Sequence, residues 1–326
     1  MILSCGEAII DMIPVKVPGR GDGFLPCPGG SPFNTAIAIG RLGVPVRFLS
    51  RLSRDFFGEI LINRLIQSNV GIDLIPRTEQ NSTLAFVKLD QGQEPRYVFY
   101  TEGAADCSFS LEDLPPVLAP EIRCVLFGSI ALTMEPSAST IETFIARVGG
   151  NDVPDDKRPL VSLDPNVRPF MIRDREAYVR RFEAWVGAAS IAKISEADFD
   201  FIYPGLGLEK SLQRVLDMGP RLALSTLGPK GALALLRRKD GRVLRVSAPV
   251  VDIPVVDTIG AGDTFHGAFL SWLELKGKMS HSALAALTEQ ELYDALFFAN
   301  KAASLVCSRQ GAEPPTLQEV EALKGQ

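Results

Sequence analysis

Two patterns in the chain predict an α/β fold with a mostly parallel sheet and a small β lid. From residue 125 onward, short apolar or β-branched runs alternate with stretches of helical periodicity. That order of elements belongs to a parallel sheet covered by helices on both faces. Earlier, two β-rich stretches at 14–28 and 83–100 break the alternation, and their company predicts a separate lid built from two insertions. No internal repeat or low-complexity linker is visible, so the chain reads as one core, 1–12, 29–82 and 107–326, with a discontinuous lid at 13–28 and 83–106.

The whole-chain figures limit the functional classes. The 326 residues are 46% hydrophobic and 22% charged, with a formal net charge of −5, which suits a large apolar core. A mild acidic balance without a basic cluster argues against nucleic acid as the main partner. The start, Met1 to Glu7, lacks the basic region of a signal peptide, and no apolar run reaches membrane-spanning length. Cys5, Cys27, Cys107, Cys124 and Cys307 form no Cys-x-x-Cys pair and read as thiols of a reducing cytoplasm, the expected location. Only two histidines, His266 and His281, occur, which argues against a histidine metal site.

In order, residues 2–5 read as a strand, and Asp11 follows the apolar pair Ile9-Ile10 near a strand end. Four prolines and three glycines in 14–28 rule out a core helix and fit a flap or edge strands. Ser31 with Pro32 behind it reads as the cap and first position of a helix that Leu42-Gly43 closes. A strand at 46–49 precedes a helix capped by Asp55, with Ile60, Leu61, Leu65 and Ile66 at helical spacing. The runs 83–89 and 97–100 flank a turn-rich stretch at 90–95 and predict a hairpin. Beyond it come strands at 125–128, 160–163, 191–194 and 222–225, with helices at 137–148 and 176–188. A hairpin at 232–246 turns around Lys239-Asp240-Gly241 and is placed at one sheet edge. The last long helix, 289–307, carries Leu292, Leu296, Ala299 and Ala303 on one stripe.

The chemistry concentrates between Val255 and Phe269. A β-branched run enters Gly260-Ala261-Gly262-Asp263, and a helix begins there. Glycines admit a ligand close to the backbone, and the first helical turn offers unpaired N–H groups, so the turn is an anion site that favours phosphate. Asp263 at its mouth has two readings. As a cap it stabilises the helix by about 1 kcal/mol; as a base it faces an attacking hydroxyl. The helix N-terminus would hold it ionised and weakly basic, which loose phosphoryl transfer tolerates.

A second constellation separates those readings. The run from Gly29-Gly30-Ser31-Pro32-Phe33-Asn34 through Gly43 closely resembles the N-terminal signature of the PfkB, or ribokinase-like, sugar kinases. Asp257 through Phe265 resembles their C-terminal signature, and Asp164-Pro165-Asn166-x-Arg168 and Thr226-Leu227-Gly228-x-x-Gly231 match between them. The resemblance covers nearly all of the chain. It implies a three-layer α/β/α sandwich of the ribokinase-like type, a β lid over the sugar, and ATP with Mg2+ as the other reactants. By the same resemblance Asp263 is the base, and the amides from Gly260 through Ala261 and Gly262 to Asp263 form the anion hole. Lys193, Ser195, Thr226, Gly228, Gly231, Gly260 and Gly262 then follow the nucleotide, with Asn300 near adenine. Ser195-x-x-Asp198 stands where many relatives carry Asn-x-x-Glu, and Asp198 is expected to hold magnesium through water. A monovalent cation such as K+ would draw oxygens from 251–257 and 304–311.

The sugar end is assigned to Asp11, Gly30, Asn34, Phe99, Arg168 and Asp263, with Tyr97 as the other aromatic candidate. Each has a plain alternative: Asp11 a turn residue, Asn34 a helix cap, Arg168 a partner of Asp164. Glu7-x-x-x-Asp11, 95–100, 103–106 and 193–196 look most like fructokinases. A 2-keto-3-deoxygluconate kinase is the runner-up, and its anionic substrate would want an arginine fork. Thr101 stands where relatives of both kinds often carry arginine, which weakens both readings and tips the balance only modestly toward a neutral ketohexose. A sugar-binding protein without catalysis is a further class, but Gly-Ala-Gly-Asp would then have no purpose. No Gly-x-Gly-x-x-Gly follows the first strand, against a nicotinamide enzyme. The open lid edge predicts a homodimer through the lid.

Overall fold

A computed structural model describes residues 1–88, 96–150 and 158–324. The turn expected at 90–95 lies outside the described residues, as does most of the polar linker at 149–157. The first half runs β1 (Ile2–Cys5), β2 (Ile9–Val17), β3 (Gly21–Gly29), α1 (Ser31–Arg41), β4 (Val46–Leu49), β5 (Leu52–Ser53), α2 (Phe56–Gln67), β6 (Val70–Gly71), β7 (Arg77–Thr78), β8 (Leu84–Lys88) and β9 (Arg96–Tyr100). Then come β10 (Cys124–Gly128), α3 (Ser137–Gly149), β11 (Leu160–Asp164), α4 (Arg175–Ala188), β12 (Ile191–Lys193), α5 (Glu196–Ile202) and α6 (Leu208–Met218). The last part holds β13 (Leu222–Thr226), β14 (Ala232–Arg237), β15 (Val243–Ala248), α7 (Ala261–Leu275), α8 (His281–Ala285), α9 (Glu289–Cys307) and α10 (Leu317–Ala322).

The large sheet has the order β15-β14-β13-β12-β11-β10-β1-β4-β6, parallel from β6 to β13 and antiparallel at the β14–β15 edge. Its strands are apolar on both faces, and alternate residues enter different cores. Ile2, Leu126, Leu160 and Leu222 join α1, α2, α7 and α9 on one side. Leu3, Val125, Val161 and Ala223 join α3, α4 and α6 on the other. Each fully buried Leu, Ile or Phe contributes about 1.5–3 kcal/mol, so a strand read with period two has no solvent face to spare. The sandwich expected from the sequence is the observed one.

The second sheet runs β3-β2-β8-β9, with β2 and β8 parallel through Ile10↔Leu84, Asp11↔Ala85 and Met12↔Phe86. Pro26 and Pro28 sit on β3, an edge strand where a missing N–H matters little. Pro14 on β2 lies just past the last pair with β8, so no ladder bond is lost there. β2 begins at Ile9, because Ile9 already pairs with Gly29; residues 9–12, placed with the core from sequence, belong to this sheet.

Two local expectations change. Gly30, at φ 106°, is the N-cap of α1 rather than Ser31, whose hydroxyl is engaged elsewhere. On α2 the inward face is Leu61, Ile62 and Leu65, and Ile66 points to solvent. Asp55 does cap α2, accepting from Gly58 N–H at 2.7 Å.

α1 and α7 come from opposite ends of the chain and cross in contact. A Cβ added to Gly267 would lie 2.9 Å from Thr35 O and 3.0 Å from Ala38 Cβ. Gly267→Leu should therefore wedge the helices apart and destabilise the fold by about 1–3 kcal/mol. An unchanged urea midpoint would show that the two helices do not meet at this point.

Candidate active site

The carboxyl ends of the parallel strands open into a cleft where ligands of open α/β sheets bind. Three elements converge there: the Gly30 turn ahead of α1, the Gly260 turn ahead of α7, and the ends of β11 and β12. Gly260 takes a left-handed φ of 74° to swing the chain into α7. Thr264 N–H, bonded to Gly260 O at 2.8 Å, is the first amide to reach four residues back. Ala261 N–H is already tied to Thr258 O at 3.2 Å. Of the four amides expected to form the anion hole, that of Ala261 thus closes the turn, while those of Gly262 and Asp263 belong to the open first turn.

Asp263 is not a cap. Ser31 Oγ donates to its Oδ1 at 2.6 Å and Asn34 Nδ2 to its Oδ2 at 2.9 Å. Burial pushes its carboxyl up, and the two hydrogen bonds pull back less than burial pushes. Depression by the helix end, expected from the sequence, is therefore outweighed. Nor does Asn34 cap α1, which has no side-chain cap bond.

Behind Asp263 lies a buried charge cluster. Lys193 Nζ donates to Asp164 Oδ2 at 2.7 Å, each side chain 4% exposed. Burial alone would raise Asp164, but the ammonium and His266 override it and hold the carboxyl at about 2. Asp164 therefore pairs with Lys193. Arg168, the partner weighed for it from sequence, is exposed and folds its Nη1 onto Asn166 Oδ1 at 2.8 Å. Gly262 lies directly over the ammonium: a Cβ there would stand 3.2 Å from Lys193 Nζ.

Ser195 caps α5, and Asp198 completes a capping box with it, Ser195 Oγ accepting from Asp198 N–H at 3.1 Å. The Asp198 carboxylate accepts Val167 N–H at 2.8 Å and Ser195 N–H at 3.0 Å. Among the described residues no group of three or more His, Cys, Asp or Glu side chains could cage a metal.

A cavity of about 540 Å³ opens beside the Gly262 turn. Thr226, Gly228, Gly231, Val251, Phe265 and Asn300 are among its walls, so the expected nucleotide residues from the third motif and α9 do converge. Asn300 Nδ2 donates to Ala248 O at 2.9 Å and Pro249 O at 3.0 Å, fixing the backbone at that wall. The segments weighed for a monovalent cation also meet, since Val256 and Asp257 both donate N–H to Cys307 O and Asp257 Oδ2 accepts Gly311 N–H.

On the lid side, Asp11, Ala85 and Phe99 stand in one cross-strand row. Burial raises the Asp11 carboxyl to about 6 against the pull of Arg168. A Cβ on Gly29 would fall 2.2 Å from Asp11 Oδ2, so only glycine admits that carboxylate. At Gly30 a Cβ would strike Glu7 O at 2.8 Å; its close approach is to the protein's own backbone. Tyr97 and Phe99 share a face and both pack on Phe170, at 5.7 Å each.

Sequence reasoning missed Ser31 as a partner of Asp263, Phe170, and above all Glu7. Glu7 is buried and accepts Ser31 N–H and Ala131 N–H, each at 3.1 Å, bolting the start of α1 to the turn after β10. Burial raises its carboxyl from 4.5 to about 7. The folded state then binds more protons than the unfolded one between those values, so this contribution to stability is full below pH 4.5 and fades through pH 7. In urea melts across that range, Glu7→Gln should lack this loss relative to wild type; parallel curves would contradict the assignment.

Comparison with known proteins shows the family of this chain. The chain is 37% identical over 292 residues to a fructokinase of Rhizobium leguminosarum bv. trifolii, covering 90% of this chain and 85% of that one. A fructokinase of Xylella fastidiosa with bound ATP superposes with a TM-score of 0.86 at 27% identity, over 98% and 97% of the two chains. A fructokinase of Vibrio cholerae O395, solved with fructose, ADP and calcium ion, gives 0.80 at 28% identity, over 98% and 97%. The model of the pfkB family carbohydrate kinases matches residues 1–319, and the chain belongs to that family.

Proposed function

We propose that this carbohydrate kinase is a fructokinase, which moves the γ-phosphoryl group of ATP to the 6-hydroxyl of fructose. The seating of Asp263 carries the chemical part of the reading. Two donors fix both carboxylate oxygens while burial raises the group's basicity, and the amides of Gly262 and Asp263 stand beside it. Asp263 takes the proton of the attacking hydroxyl, and the amides with the Lys193 ammonium offset charge on the transferred group. Bound magnesium ATP supplies that group and neutralises part of its charge.

The cavity beside Gly262 suits an adenine nucleotide in volume and in its apolar walls. Thr226, Gly228 and Gly231 follow the phosphates and Asn300 closes the adenine end. The carboxylates near Lys193 fit a magnesium ion held mostly by water and phosphate, not a dedicated cage. Asp164 is committed to Lys193, and Asp198 has backbone amides on its carboxylate, so Asp198 acts only through water. In the same reading, carbonyls of 251–257 and 304–311 would hold a monovalent cation, with Asp257, whose oxygens accept Ile259 N–H and Gly311 N–H, fixing the two segments together.

Asp11, Asn34, Phe99 and Arg168 make the sugar end, with Gly30 letting the start of α1 approach the Glu7-Ala8 backbone between β1 and β2. The fructokinase relatives, together with threonine at 101, favour a neutral ketohexose. ADP release measured across fructose, glucose, ribose, adenosine and 2-keto-3-deoxygluconate should be largest with fructose. Turnover confined to the ketodeoxy acid would replace the substrate, and tight fructose binding without ADP would remove the enzyme. Asp263→Asn keeps an acceptor for Asn34 and a partner for Ser31, so the fold should survive while kcat falls about 10²–10⁴-fold.

The outer face of the lid supports a homodimer. Phe24, Val98 and Tyr100 are each about half exposed there, and Phe24 and Tyr100 both meet Phe86 edge-on. Such a patch is typical of an interface. Light scattering should report twice the chain mass for wild type and a single chain for Phe24→Lys with Tyr100→Lys; equal masses would exclude the lid as the contact.

A further inference from the structure

His266 lies one turn after Asp263 on α7 and is fully buried, and the reading above gives it no task. Ser162 and Asp164 stand two residues apart on β11, on the face that α7 covers. The His266 ring sits between them, Nε2 2.7 Å from Ser162 Oγ and Nδ1 3.6 Å from Asp164 Oδ2. The latter distance is beyond hydrogen-bond length, so the buried Nδ1 has no hydrogen-bond partner and acts on the carboxylate only through its charge distribution. With Ser162 donating to Nε2, the ring proton is on Nδ1 and faces the carboxylate. Burial keeps the ring neutral, so it adds a dipole to the cluster without adding a charge.

Asp164 Oδ2 therefore has the Lys193 ammonium on one side and the imidazole N–H on the other. A lysine ammonium is a point charge on a flexible stem, and a single carboxylate leaves it several positions. A carboxylate that is itself steadied leaves fewer. The position at stake is the one beneath Gly262, where the missing Cβ makes room for Nζ.

We propose that His266 is a positioning residue for phosphoryl transfer, its Nδ1–H dipole, 3.6 Å from Asp164, steadying that carboxylate so that the Lys193 ammonium stays beneath Gly262 and faces the γ-phosphate. This rests on the kinase reading of the same site. If His266 only filled space, its loss would lower stability and act independently of Lys193.

The test uses the full chain as wild type, His266→Phe, His266→Gln, Ser162→Ala, Lys193→Met, and His266→Phe with Lys193→Met. Steady-state kinetics are joined with calorimetric binding of magnesium AMP-PNP and magnesium ADP. A misplaced group costs up to about 10²-fold, so His266→Phe should lower kcat about tenfold while the sugar KM changes less than about twofold. AMP-PNP should bind about fivefold more weakly and ADP within about twofold, because only the former presents a γ-phosphate. His266→Gln, whose amide N–H replaces Nδ1–H, should recover most of kcat. In the Lys193→Met background His266→Phe should cost nothing further. Equal losses with and without Lys193, or equal weakening of both nucleotides, would overturn the proposal. If His266→Phe does not fold, Ser162→Ala takes its place with the same expected pattern, and full kcat in Ser162→Ala overturns it. A wild type without turnover on any sugar would defeat the kinase reading alone, and the two binding constants would still decide the role of His266.

Discussion

The contact between α1 and α7 decides whether there is a site at all. Both helices lie on one face of the sheet, and the absence of a side chain at Gly267 lets their backbones approach. One turn before that contact, Asp263 reaches Ser31 and Asn34. The hydrogen bonds are short, and their geometry leaves little tolerance: a shift of about 1 Å would remove both. Glu7 holds the other half of the arrangement, since it anchors the amide of the residue whose hydroxyl meets Asp263. The separation of α1 and α7 is thus set by packing, and the setting is read out as carboxylate chemistry.

The carboxylates around the cleft diverge because burial and pairing act on them in different proportions. Asp164 has a cation at hydrogen-bond distance and stays ionised far into acid. Glu7, Asp11 and Asp263 have neutral donors or a more distant cation, and burial wins at each. Groups on one cleft are in this way separated into a fixed charge and groups that accept a proton more readily. The fixed charge sits behind the cleft, where it orders a lysine. Of the readier proton acceptors, Asp11 and Asp263 belong to the site, while Glu7 is buried beneath the start of α1.

Much of this was legible in the chain. Period-two strands with apolar residues on both faces, helices at the expected places and the two glycine turns all follow from local pattern. Asp263, Thr226, Gly228 and Gly231 could be placed from motifs, because each motif ties a residue to a strand end or a helix start; Asn300, inside α9, follows only from the family resemblance. Ser31 could not, since a serine before proline looks like a cap, and only the crossing of α7 reveals a better partner. Glu7 was hidden for a similar reason: its two amide donors lie 24 and 124 residues away. The short helices α5, α8 and α10 have apolar stripes too brief to read, and tertiary packing rather than propensity stabilises them; α6 escaped notice although Leu208, Leu212, Val215 and Leu216 recur along it at helical spacing.

The contact across 232 residues between Ser31 and Asp263 also has a consequence for how the protein is made. During synthesis α1 leaves the ribosome long before α7, and until then its apolar face lacks the helix that covers it. Residues such as Phe33 and Ile37, fully enclosed in the finished fold, must wait exposed on the nascent chain. An incomplete chain ending ahead of α7 would hold the glycine turn of α1 and the lid, but neither the base nor the surface that shields α1. Such fragments would be inert and adhesive, a burden for chaperones and not a partial enzyme.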